Sequence, residues 1–183
     1  MNLQLLQQKL PEVRAWIDST LAAHAAQERT VNSLVFPRLG SYYSAALLAS
    51  AKAIPVAKVP APPLASMGLT GFDEFENLNA AGITYLSSFF VLHGYERDES
   101  LHFHELVHVV QCQHLGPERF IMAYALGHLL SGGYRTNPLE KQAYDLQDRF
   151  DANTPAFDVA AIVRPELDRV VPPLLARASV GKL

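Results

Sequence analysis

One cysteine, Cys112, occurs among 183 residues, which excludes an intramolecular disulfide and any zinc finger built from cysteines. A reducing, cytoplasmic setting is therefore expected. No stretch of about 18 apolar residues is present, so no membrane-spanning helix is expected. Residues 1–10 carry scattered glutamines and no apolar run, unlike an export signal. Basic residues form no block, and 15 Lys+Arg against 18 Asp+Glu leave a formal charge of −3. Such a chain is poorly suited to grip a phosphate backbone, and no nucleic-acid partner is expected. Repeats and low-complexity tracts are also missing. What is plentiful is apolar material: 49% hydrophobic against 18% charged residues excludes general disorder. The length suits one domain over 1–183.

Local patterning predicts an α+β domain, mostly helical, with a small twisted sheet beside a central helix. Leu3, Leu6, Leu10, Val13, Ile17 and Leu21 recur at helical spacing, with Pro11 as a kink or a restart. A second, alanine-rich helix is expected over 40–52, completing N-terminal helices over 1–52. Strands and loop follow over 53–92. Pro55, Pro60, Pro62 and Pro63 mark 53–59 as an exposed or edge strand entering an extended segment. Residues 68–82 read as a loop with one helical turn. The β-branched and aromatic run 83–92 reads as strand, bent at Ser87-Ser88. Asp98-Glu99-Ser100 opens a helix to about 115, and Gly116-Pro117 closes it and opens the next to about 131. Asn137-Pro138 starts a further helix to about 150, completing metal-site helices over 100–150. The segment 154–178 is expected to be helical in pieces, broken at Pro165 and Pro172-Pro173.

The central helix contains His104-Glu105-Leu106-Val107-His108, an HExxH pattern. Histidines at i and i+4 project from one helical face and can converge on one ion. Glu105 sits about 100° round the helix, where it reaches the edge of that site without ligating. Zinc lowers the pKa of its water to about 7, and a carboxylate beside it supplies a base. Leu106, Val107, Val109 and Val110 surround the motif, so the helix is expected to be buried and its histidines to need partners.

A third ligand has two candidates. His114 has the histidine spacing of HExxHxxGxxH, but Gln111 occupies the position of the turning glycine. On a continuous helix His114 points about 120° away from His108; it is read as a helix-end residue complementing the dipole. Glu140, early in the next-but-one helix, is favoured. Its competing role is a variant capping box, Asn137-x-x-Glu140, with the carboxylate turned back to the Asn137 amide. Ala143, one turn on, is small enough to permit a close helix crossing.

With FHELVHVVQ followed by NPLEKQAYD, over roughly residues 83–150, the chain resembles a minimal gluzincin-type zinc metallopeptidase and is similar to small bacterial HExxH proteins. The resemblance implies a zincin-like domain, Zn2+ held by His104, His108 and Glu140, Glu105 as base activating a zinc-bound water, and a peptide or protein substrate. Thermolysin-like members have Asp four residues after the ligand Glu to orient a histidine. Here that position is Tyr144, and Asp145 comes one later. Tyr134, Tyr144 and His128 are candidates to stabilise the oxyanion, with Tyr134 and Tyr144 preferred. His102, two residues before the motif and on the opposite face, is read as structural. Zincins commonly hold an extended substrate on an edge strand, a part that 83–92 could play. Two other readings remain: a metal-binding protein with structural zinc or a partner-binding cleft and no peptidase activity, and a helical interaction module without metal.

Overall fold

The computed structural model describes residues 3–77 and 79–180. The architecture is α+β: seven α-helices and one four-stranded mixed sheet among the described residues. In chain order these are α1 (Leu3–Ala23), β1 (Arg29–Thr30), α2 (Ala45–Ser50), β2 (Lys52–Val56), α3 (Asp73–Glu76), β3 (Gly82–Tyr85), β4 (Ser88–Leu92), α4 (Glu99–Leu115), α5 (Pro117–Ser131), α6 (Pro138–Asp151) and α7 (Val159–Val180). Pro11 lies inside α1. None of the described helices is long and apolar enough to cross a membrane.

The sheet order is β1-β2-β4-β3. β2 is therefore interior, not an edge or exposed strand as the prolines suggested. It pairs antiparallel with β1 and parallel with β4. Pro55 is tolerated there because β1 is so short. Lys52 donates to Ser87 and Val56 accepts from His93, so even positions face β4. The alternation turns the Pro55 nitrogen to the other side, where β1 has already ended opposite Ala53. The bend expected at Ser87-Ser88 appears between β3 and β4, with Leu86 at φ 62°.

α4 is the axis of the molecule. The Asp98 side chain caps it by accepting from the Leu101 amide at 3.1 Å. Gly116, at φ 78°, ends it, and Pro117 opens α5. Every residue from 102 to 112 is buried, with β3, α5, α6 and α7 all packed against the helix. α6 is pinned to α5 at its first turn. Asn137 accepts from the Leu139 amide and donates to the Tyr124 carbonyl, both at 3.1 Å. A Cβ at Gly127 would collide with the Asn137 amide, so only glycine admits this approach.

The C-terminal segment departs from expectation. α7 is one helix running through Pro165, Pro172 and Pro173. An interior proline costs about 3 kcal/mol in a helix, yet Val159, Val163, Leu167 and Val171 form a stripe at most 1% exposed. α7 packs on α4 and α5, and burying that stripe outweighs the missing amide bonds.

Candidate metal centre

One turn apart on α4, His104 and His108 bring their Nε2 atoms within 3.1 Å of each other. Glu140, in the first turn of α6, completes the group. Its Oε2 is 3.4 Å from His104 Nε2 and its Oε1 is 3.3 Å from His108 Nε2. The three side chains offer ligand atoms within 4.8 Å of one another, and all three residues are buried. Both capping-box partners have other bonds: the Asn137 amide donates to the Tyr134 carbonyl, while Glu140 Oε1 accepts from the Tyr124 hydroxyl at 2.5 Å.

The hydrogen-bond network assigns the tautomers. Gln111 Nε2 lies 3.0 Å from the Leu139 carbonyl, which can only accept, and 3.0 Å from Gln142 Oε1. Its Oε1 is thereby turned to His108 Nδ1, at 2.8 Å, so Nδ1 carries the hydrogen. The other histidine is held the same way. Ser100 donates to Asp151 and so accepts from Gln147 Nε2 at 2.9 Å, leaving Gln147 Oε1 to accept from His104 Nδ1 at 3.0 Å. In the neutral rings both Nε2 atoms therefore present lone pairs, to each other and to a carboxylate. Glu140 Oε2 has no hydrogen bond although it is buried.

Acceptors so arranged need a cation among them. A proton meets part of the need: burial opposes charge on His108, but the Glu140 carboxylate outweighs it and lifts the ring to about 9. Burial likewise works against the Glu140 charge, and the two histidines overcome it, holding the carboxyl below the usual range. Two imidazoles, one carboxylate and an unsatisfied carboxylate oxygen also fit a divalent metal ion.

Glu105 flanks this group. Thr84 donates to its Oε2 at 2.6 Å. A Cβ on Gly82 would stand 2.5 Å from its Oε1, so glycine on the edge strand β3 is what lets the carboxylate take this position. Burial raises the Glu105 pKa, against the pull of His104 and His108. Glu105, His108, Glu140 and Tyr134 line one cavity.

Tyr144 stacks tilted on His104, centroids 4.6 Å apart. His128 lies over Phe72, at 5.5 Å. His102 sits between Phe36 and Phe89 and donates from Nε2 to the Glu96 carbonyl at 3.0 Å; burial pulls its pKa down to about 4. His114 is turned away and meets Asp168 at 2.8 Å, while Asp145 pairs with Lys141. Neither Tyr144 nor Asp145 orients a ligand histidine by a hydrogen bond; Gln111 and Gln147 do. Gln111, three residues after His108, was within reach of a helical-spacing argument. Tyr124 and Thr84 carried no such local signal. Comparison with protein-family models, with curated proteins and with solved structures finds no match.

Proposed function

We propose that the protein is a zinc-dependent hydrolase of the gluzincin type, acting on peptide bonds, with a zincin-like domain built around α4. The observation that carries this reading is the convergence of His104 Nε2, His108 Nε2 and the unsatisfied Glu140 Oε2 beside a separately held carboxylate, Glu105. His104, His108 and Glu140 would hold the ion. Bound there, zinc would polarise the scissile carbonyl and acidify a water molecule.

The remaining work falls to the chain itself. Thr84 fixes one Glu105 oxygen, and the other faces the space that Gly82 leaves open. Burial raises the Glu105 pKa from the ordinary carboxylate range, which suits a group that takes a proton from water and returns it to the leaving amine. Tyr124 stays protonated, since burial and then Glu140 push its pKa up, and its hydroxyl steadies the Glu140 carboxylate. Tyr134 lines the same cavity, and in this reading its hydroxyl would donate to the developing oxyanion. β3, at the sheet edge beside Glu105, offers backbone for an extended substrate.

The test is zinc-loaded protein on a mixed peptide digest, with new termini read by mass spectrometry. Zinc-dependent cleavage is expected. Glu105→Gln should hold stoichiometric zinc and lose turnover by at least about a hundredfold. Equal cleavage by the variant would overturn the reading.

A further inference from the structure

A second cavity, of about 320 Å³, shares no lining residue with the one at the metal centre. Its floor is apolar. Ala53 and Pro55 of β2 and Val91 of β4 line it. The register sets Pro55 beside Val91, so all three side chains leave the same face of the sheet. The rim is cationic, with Arg29 of β1 and Arg97, both exposed. The Arg29 guanidinium has no hydrogen-bond or ion-pair partner among the described residues. Arg97 gives one N–H to the Leu34 carbonyl at 2.7 Å, out of the five a guanidinium carries. Glu96 is the one carboxylate on the lining. It is taken up by the Gly94 amide at 2.8 Å and by His93 Nδ1 at 3.0 Å. Two guanidiniums against one carboxylate leave a single positive charge in excess when His93 is neutral.

His102 lines the same cavity and is only 1% exposed. Its Nε2 lies 3.0 Å from the Glu96 carbonyl, which can only accept, so the neutral ring carries its hydrogen there. Nδ1 then holds a lone pair, and no group among the described residues donates to it. A buried acceptor left in this state is costly and calls for a donor.

We infer that this cavity binds a singly charged N-acyl carboxylate with an apolar side chain, either the C-terminal residue of a peptide or a free N-acyl amino acid. The carboxylate meets Arg29 and Arg97, the amide N–H meets His102 Nδ1, and the side chain lies on the Ala53, Pro55 and Val91 floor. A phosphate monoester carries nearly two charges, one more than the rim offsets beside Glu96, and would leave the floor bare. A neutral apolar molecule would serve neither the guanidiniums nor Nδ1. The size agrees: an apolar cavity of about 150 Å³ takes up benzene, and about twice that space suits a leucine-sized residue with its acyl group. The inference stands apart from the hydrolase reading and needs no metal.

The experiment is calorimetric titration of the full chain freed of metal, so that no bound ion can attract the carboxylate. N-acetyl-leucine should bind at least tenfold more tightly than acetate, which lacks the apolar part, and than N-acetyl-leucinamide, which lacks the charge. N-acetyl-N-methyl-leucine, without the N–H, should lose about fivefold. Arg29→Ala removes a guanidinium that no other group uses, and should weaken N-acetyl-leucine about fivefold or more while leaving the affinity for the amide unchanged. N-acetyl-glycyl-glycyl-leucine separates the two sources: tighter binding than N-acetyl-leucine assigns the site to a chain end, and equal binding to a small N-acyl amino acid. Equal affinities for N-acetyl-leucine and its amide would overturn the site, as would full affinity in Arg29→Ala or in the N-methyl probe.

Discussion

Gln111 accepts a hydrogen bond from His108 at 2.8 Å, and it faces the ring oxygen-first because the Leu139 carbonyl of α6 holds its amide nitrogen. The helix that brings the carboxylate to the site therefore also sets the tautomer of a histidine on α4. The network continues from Gln111 to Gln142 and on to Glu166 of α7. Its counterpart runs from His104 through Gln147 and Ser100 to Asp151.

Removing either glutamine frees a ring without touching a ligand. Gln111→Ala and Gln147→Ala should each weaken zinc binding by about 10–100-fold, the usual scale for such outer partners. Competition against a chromophoric chelator measures this, and unchanged affinity in both would count against the orienting role.

The two third-ligand candidates separate cleanly. Glu140→Ala should lower zinc affinity by orders of magnitude, whereas His114→Ala, on a side chain that meets Asp168, should leave it within about threefold. The reverse ranking in the same competition assay would remove Glu140 from the site.

Acidity acts on the metal-free protein through His108 and Glu140. His108 titrates near 9 when folded, above its ordinary 6.5, so its contribution to stability is complete below 6.5 and disappears as pH rises through 9. Metal-free protein should therefore lose Tm between pH 7 and 9.5. Over the same interval zinc affinity should climb by up to about tenfold per pH unit as the competing proton leaves. The gap between loaded and metal-free Tm should widen accordingly; a constant gap would contradict the coupling.

Gly82 is the position where a single methyl reaches the base. Gly82→Ala puts a Cβ 2.5 Å from Glu105 Oε1, displacing the carboxylate while the three ligands stay in place. Turnover should fall by about tenfold or more, as a misplaced catalytic group predicts, with zinc content unaltered in elemental analysis.

α7 offers a stability test. Leu167 is 1% exposed, and Leu167→Ala should cost about 2–5 kcal/mol in chemical unfolding. A helix that depended on local propensity instead of packing would show a much smaller loss.

Much of the centre is legible locally. Helical spacing places His104 and His108 on one face, and Asp98, Gly116 and Asn137 bound the helices that carry the site. These are short-range facts, set by sterics and capping within a few residues. Other features are not local. Glu140 could have capped its own helix; the Tyr124 hydroxyl and the histidines across the α4–α6 contact claim its carboxylate instead. Pro55 in an interior strand depends on where β1 stops, and a continuous α7 depends on the stripe it buries.

By itself, then, the order of residues determined the helix bearing the two histidines and the chemistry available to it, because backbone geometry translates i and i+4 into one face. Only the tertiary structure decided which carboxylate closes the group, which glutamines orient the rings and what kind of space adjoins them. Those choices come from contacts between residues dozens of positions apart, where packing and the need to satisfy buried polar atoms override local preference.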